Sequence, residues 1–138
     1  CLCPWTPQGT DAMLIDSDVL IWASRGNEKA VRKLNKESGF GISAVTYMEL
    51  CQGMRNKSEL DSFRKALKIW NVRVIPINET ISYQAMFFVE RYCLSHSLFL
   101  ADALIAATAN QLGEALLSAN TKHYSMIPEI TLKAFRPE

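Results

Sequence analysis

The chain has 138 residues, 49% of them hydrophobic, which is the size of one domain with its own core. Its formal net charge of +1 excludes a polycation that grips nucleic acid by bulk charge, although a local basic face stays open. The four cysteines show no paired zinc-site spacing, so we expect reduced thiols in a cytoplasmic protein. No apolar run approaches the ~18 residues that cross a bilayer, and we expect no membrane association.

Residues 1–12 carry two prolines and a glycine without periodicity, and we expect an extension outside the fold. Strands and helices alternate from residue 13 onward. The sequence predicts strands at "MLID", "FGIS", "VRVIPI" and "EALLSAN", and leaves a fifth open at "ITLKAF". The predicted helices are "SDVLIWAS", "EKAVRKLNKES", "AVTYMELCQGM", "SELDSFRKALKIW", "ETISYQAMFFVERYCLSH" and "LADALIAATANQLG". This alternation predicts an α/β fold with a mostly parallel central sheet of four to five strands and helices on both faces.

Oxygen-bearing side chains follow the ends of several predicted strands. Asp16 follows the first strand, Glu49 lies in the helix after the second, and Asn120 follows the fourth. Asp102 stands near the start of an almost wholly apolar helix. Because ligands bind outside the carboxyl ends of strands in open parallel sheets, we expect these side chains to meet at one edge.

Each acid also has a purely structural interpretation. The pattern favours Ser17 or Asp18 as the N-cap of the first helix, and Asp102 either caps its own helix or joins the site. Taken together, three buried-looking acids, Asp16, Glu49 and Asp102, need a common counter-charge. Oxygen ligands without a His or Cys cluster favour Mg²⁺ or Mn²⁺, and such an ion suits phosphodiester hydrolysis.

Three segments carry a resemblance to a known family. "LIDSDVLIWASRGN", "ISAVTYMELCQG" and "LADALIAATANQLGEALLSANTKHY" resemble the signature segments of PIN-domain ribonucleases, and most closely those of the VapC-type toxins of toxin–antitoxin pairs. The likeness runs from Met13 to about Pro128. It implies a PIN-like three-layer sandwich over residues 13–138 and a Mg²⁺- or Mn²⁺-dependent endoribonuclease. It also implies an RNA substrate, a cognate antitoxin and a homodimer.

The resemblance also implies roles for individual residues. Asp16, Glu49 and Asp102 would bind the metal, and Asn120 would join them as a catalytic residue. In relatives the segment around Asn120 often reads Thr-Arg-Asp or Thr-Arg-Asn, whereas here it reads Ser118-Ala119-Asn120 without a fourth carboxylate, and His123 stands where some relatives have an acid. The presence of a second metal ion therefore stays open.

Substrate contacts are expected from residues near these acids and from basic stretches. The candidates next to the acids are Ser17, Arg25 and Thr121. Two basic stretches are either phosphate contacts or solvated helix faces, namely Arg25, Lys29, Arg32 and Lys33, and then Arg55, Lys57, Arg64, Lys65 and Lys68.

Two other functions remain open. A PIN module that binds RNA or protein without cutting is favoured by the missing fourth carboxylate. An Asp-nucleophile phosphatase is suggested by "DSDV" after a strand, although such a fold leaves Glu49 and Asp102 unexplained. The nuclease accounts for all three acids.

Overall fold

The computed structural model describes residues 12–138. The predicted extension over residues 1–12 therefore lies, apart from Ala12, outside the described residues. The strands are β1 Met13–Ile15, β2 Gly41–Ser43, β3 Arg73–Ile75, β4 Ala115–Ser118 and β5 Leu132–Ala134. The helices are α1 Ser17–Ser24, α2 Glu28–Lys36, α3 Ala44–Gln52, α4 Lys57–Ile69, α5 Glu79–His96 and α6 Leu100–Leu112, with a 3₁₀ turn at Thr121–His123.

The five strands form one sheet in the order β3-β2-β1-β4-β5, and all four pairings are parallel. The predicted α/β fold is confirmed, and the strand left open at "ITLKAF" is present as β5. Because β1 lies in the middle, its carboxyl end opens directly between those of β2 and β4. This arrangement brings the segments after β1 and β4 together.

Apolar side chains alternate between the two faces of the sheet and build a core on each. Leu14 and Leu116 belong to the cluster that includes α5 and α6, whereas Ile15 and Leu117 belong to the cluster that includes α1 and α2. Burial on both faces of the sheet explains why β1 and residues 115–117 of β4 are continuously apolar. The three-layer sandwich follows from this double burial.

Helix ends agree with the sequence in some places and not in others. Ser43 caps α3 as predicted, because its hydroxyl accepts from the Val45 amide at 3.1 Å. The predicted cap of α1 is wrong: the capping side chain is Asp16, and neither Ser17 nor Asp18 takes that position. Asp102 lies in the first turn of α6 but does not cap it, since Phe99 occupies the N-cap. Within residues 12–138, no helix is long and apolar enough to span a membrane.

An ion pair ties the amino ends of β3 and β4 together beneath the sheet. Arg73 at the start of β3 reaches Glu114, just before β4, with two hydrogen bonds of 2.9 and 3.1 Å. The arginine passes over β2, where a Cβ on Gly41 would approach its guanidinium to 3.2 Å. Glycine at position 41 therefore leaves the room that this crossing requires.

Replacing Arg73 by Ala is expected to lower the free energy of unfolding by about 2 kcal/mol, because it strands the largely buried carboxylate of Glu114. The matched control is Arg55→Ala, which removes an exposed arginine that pairs with Glu59 within one helical turn. Urea denaturation should show a clear loss for Arg73→Ala and no measurable change for the control. Equal losses of unfolding free energy in the two variants would mean that the Arg73–Glu114 ion pair stabilises the fold no more than an exposed ion pair does.

Candidate active site

Asp16 is the most firmly held of the sequence-predicted acids. It follows β1, is only 6% exposed, and its main-chain amide bonds the Leu117 carbonyl of β4 at 3.0 Å. Its Oδ1 accepts from the Ser17 amide at 2.8 Å, which caps α1. Its Oδ2 accepts from the hydroxyls of Ser118 and Tyr124, each at 2.9 Å. The carboxylate is therefore oriented from three sides.

Asp18 joins α1 to the segment that follows β4. Its Oδ2 accepts from the main-chain amides of Ala119 and Asn120, both at 3.0 Å, and lies 3.2 Å from Ser118 Oγ. Its Oδ1 is buried and has no hydrogen-bond partner among the described residues. Burial and the neighbouring Asp16 carboxylate raise the pKa of Asp18 to about 6, against hydrogen bonds that lower it.

Asp102 approaches Asp16 through a shared tyrosine. The Tyr124 hydroxyl, which donates to Asp16, also lies 3.4 Å from Asp102 Oδ1. On its other side, Asp102 Oδ2 lies 3.4 Å from Nδ1 of His123. Burial and Asp16 raise the pKa of Asp102, while His123 opposes the rise. Burial and the same acids raise the pKa of Tyr124 well above its usual value, so its hydroxyl stays protonated and donates.

Glu49 reaches the other acids from α3. The expectation that it is buried is wrong, since the residue as a whole is exposed. Its carboxyl group is nevertheless partly desolvated, and this burial, followed by the charges of Asp16 and Asp102, raises its pKa. A hydrogen bond from the Ser17 side chain opposes the rise. Acids from three separate segments thus share one electrostatic environment.

This set of acids has the chemistry of a divalent-cation site. Burial, together with repulsion between neighbouring carboxylates, raises the pKa values of Asp18, Glu49 and Asp102, and the buried Oδ1 of Asp18 lacks a hydrogen-bond partner among the described residues. A hard cation would relieve both penalties. The ligand distances are not already formed: in the described part of the chain, no group of three or more His, Cys, Asp or Glu side chains is placed to hold a metal ion.

The remaining predicted site residues lie at varied distances from the acids. Asn120 is exposed and contributes its main-chain amide, which bonds Asp18 Oδ2 and Ser118 Oγ at 3.0 Å each. Thr121 begins the 3₁₀ turn that carries His123 and Tyr124. Arg25 is exposed at the far end of α1, about 12 Å along the helix from its first residue. The structure therefore does not bring Arg25 into the acid cluster.

Two residues that hold the site were not singled out from the sequence. Ser118 is fully buried at the end of β4, and Tyr124 is fully buried after the 3₁₀ turn. Their contacts with Asp16 cross more than 100 residues of chain, so local patterns carry no information about them. The available signal was their place in the segment that resembles the family, directly after a predicted strand.

With this geometry in place, comparison with known proteins defines the class. A family model described as "PIN domain" matches residues 13–127, and the chain belongs to that family. Ribonuclease VapC10 of Mycobacterium tuberculosis is 34% identical over 122 residues, which cover 86% of this chain and 90% of that protein. The resemblance stated from the sequence is therefore confirmed.

Solved structures agree on the fold. A toxin–antitoxin complex from Klebsiella pneumoniae matches with a TM-score of 0.71 and 26% identity, covering 92% of this chain and 98% of that chain. DNA-bound VapBC from Salmonella typhimurium matches with a TM-score of 0.75 and 16% identity, covering 91% and 98%. At that identity the second match speaks for the fold alone.

The crowding of carboxylates predicts a pH-dependent effect of Asp18→Asn in EDTA. Since the folded-state pKa of Asp18 is raised from 3.8 to about 6, the folded protein binds more protons than the unfolded chain between those values. Stability contributed by this group therefore falls as pH rises from 4 to 6. Asparagine has no such titration.

The unfolding free energy of Asp18→Asn minus that of the wild type should consequently rise across this window and level off above it, whatever its value at pH 4. Thermal or urea unfolding at several pH values measures the difference. A difference that stays constant with pH would contradict the raised pKa.

Proposed function

We propose that this chain is a divalent-metal-dependent endoribonuclease that acts as the toxin of a toxin–antitoxin pair. The observation that supports the proposal is that three separate segments bring Asp16, Glu49 and Asp102 near one another: Tyr124 lies between Asp16 and Asp102, and the charges of both acids act on Glu49. The 34% identity with a ribonuclease over most of both chains supports the RNA substrate. The toxin–antitoxin complex at 26% identity supports an antitoxin partner.

Asp16, Glu49 and Asp102 are the residues that would hold Mg²⁺ or Mn²⁺. When bound, the ion supplies Lewis acidity at a phosphate oxygen and lowers the pKa of a coordinated water. The protein's part is orientation: Ser118 and Tyr124 fix the Asp16 carboxylate by donating to its Oδ2. Because both donors point at one oxygen, Oδ1 remains on the side of the Ser17 amide.

Asp18 has a positioning role in this proposal. By accepting from the amides of Ala119 and Asn120, it holds the segment after β4 against the start of α1. Asn120 then stands at the rim of the site with its side chain exposed. We propose that Asn120, Ser17 and Thr121 face the substrate there. Arg25, at the far end of α1, would contact only a part of the RNA that lies away from the acids.

Asp102→Asn should lower metal-dependent cleavage of RNA at least about a hundredfold, because it removes a proposed ligand of the ion. Its metal-free melting temperature should not fall, since the change relieves repulsion from Asp16 and Asp102 makes only two long contacts, 3.4 Å from the Tyr124 hydroxyl and 3.4 Å from Nδ1 of His123. Purified protein, total RNA and Mg²⁺ or Mn²⁺ are sufficient for the assay. Asp61→Asn on α4 is the matched control, an exposed acid with the same change of charge.

The same assay separates the alternatives. Intact RNA with both the wild type and Asp102→Asn, accompanied by RNA binding, would favour a PIN module that binds without cutting. A phosphoenzyme trapped on Asp16 would favour the phosphatase, which membership of the PIN family leaves without support. Cleavage by the wild type and the control alone would support the nuclease.

A homodimer is the second part of the proposal. Large apolar side chains are exposed along α5 and at its junction with α6, where Leu94 is 96% exposed, Phe99 68% and Leu100 70%. Tyr83 and Phe87 continue the row on α5. Apolar surface gathered in this way favours contact with another protein surface.

Leu94→Glu combined with Phe99→Ser is expected to shift the chain from dimer to monomer, because it places charge and polarity in the proposed interface. Sedimentation velocity measures the change. The control is Ile69→Glu, which alters a 77%-exposed apolar residue at the end of α4. A wild type that sediments as a monomer, or a control that dissociates equally, would contradict this interface.

A further inference from the structure

A basic groove lies between α2 and the end of β5. It has a volume of about 680 Å³ and its floor includes Leu117 and Phe135. Six cationic side chains line it, namely Lys29, Arg32, Lys33, Lys36, Lys133 and Arg136. They are six of the chain's 15 lysines and arginines, so a nearly neutral protein concentrates positive charge here.

The four cations on α2 form one stripe. Positions 29, 32, 33 and 36 are spaced by three and four residues and span about 10 Å of helix. The facing wall comes from β5, whose Lys133 pairs in register with Leu117 of β4. Two segments about 100 residues apart in sequence therefore build the two walls.

Much of this charge is not neutralised within residues 12–138. Lys33 pairs with Glu37 at 3.2 Å, and Arg32 makes a loose, exposed contact of 3.8 Å with Glu28. Lys29 donates to the main-chain oxygen of Glu138 at 3.0 Å. Among the described residues, Lys36, Lys133 and Arg136 form no ion pair. The positive charges of these three side chains are therefore available to an anionic ligand.

The pairing of β4 with β5 links the lining of the groove to the strand that ends at the acid cluster. Ala134 pairs in register with Ser118, and the Phe135 amide donates to the Ser118 carbonyl at 2.8 Å. The hydroxyl of that same serine bonds Asp16. Leu117 and Ala134, which line the groove, therefore lie next to and opposite the serine that holds Asp16.

We propose that this groove binds the phosphate backbone of RNA and holds it beside the acid cluster, an inference that rests on the proposed ribonuclease function. The acids carry the same sign of charge as phosphate, so they repel a nucleic acid. The affinity for RNA must then come from basic side chains that lie away from the acids, because neutralisation of phosphates supplies most of the free energy of non-specific binding. Contacts from lysine and arginine to phosphate oxygens position a nucleic acid without reading its sequence, so we expect this groove to bind the RNA backbone rather than a particular sequence.

The test uses the full chain in EDTA, where cleavage cannot interfere, and fluorescence anisotropy of a labelled single-stranded RNA. The groove variant is Lys36→Gln with Lys133→Gln and Arg136→Gln. The control variant is Lys57→Gln with Lys65→Gln and Lys68→Gln on α4, with the same loss of charge. These three exposed lysines belong to the second basic stretch and do not line the groove, so the control also tests the interpretation of that stretch as a solvated helix face. Melting temperatures of both variants confirm that they are folded.

The groove variant should bind about tenfold more weakly, and the slope of log K against log salt should fall by about 2, at ~0.7 for each of three lost phosphate contacts. The control should stay within about twofold of the wild type and keep its salt slope. Equal losses in both variants would overturn the groove, because binding would then follow net charge alone. The proposal would also be overturned if the wild type bound labelled polyglutamate more tightly than RNA and the groove variant lost that binding. The ligand of the groove would then be an acidic protein segment.

Failure of the groove and failure of the nuclease give different results. Wild-type protein that binds RNA through the groove but never cuts it supports the groove and overturns the proposed nuclease. Cleavage that requires Asp102, with unchanged binding by the groove variant, supports the nuclease and overturns the groove.

Discussion

The position of one carboxylate underlies the whole candidate site. Asp16 ends the central strand, caps α1 and accepts hydroxyl donors from β4 and from the turn beyond it. Burying a carboxylate without hydrogen-bond donors would cost free energy of folding, and the hydroxyls of Ser118 and Tyr124 offset that cost for Asp16. Each donor lies more than 100 residues away in the chain, and thus the site exists only when β4 is paired beside β1. Sheet assembly and site assembly are the same event.

Electrostatics divides the surface of the molecule into regions of opposite character. At the carboxyl ends of the strands, burial and then mutual repulsion raise the pKa values of Asp18, Glu49 and Asp102, while cations collect between α2 and β5. A net charge of +1 conceals this separation completely. In the proposed ribonuclease, the acids would hold the metal ion and the cations would bind the rest of the RNA.

The segment after β4 is held against the acid cluster by main-chain contacts. Asp18 bonds the main-chain amides of Ala119 and Asn120, so that segment is held without help from its own side chains. His123 lies 3.4 Å from Asp102. An amide side chain at position 120 and an imidazole at position 123 add no carboxylate to the site, so they do not increase the negative charge that a cation would have to neutralise.

The features that could be predicted from the sequence are those that depend on short-range interactions. The bounds of α1 and α5, the Ser43 cap and the order of strands and helices follow from periodicity and capping, which act within a few residues. Contacts between distant segments settle the rest: Asp16 rather than Asp18 caps α1, Glu49 is exposed, and Tyr124 lies between two acids. The groove between α2 and β5 likewise forms from two segments that are about 100 residues apart in the sequence. These features depend on which distant segments pack together, and a local pattern of residues does not specify that.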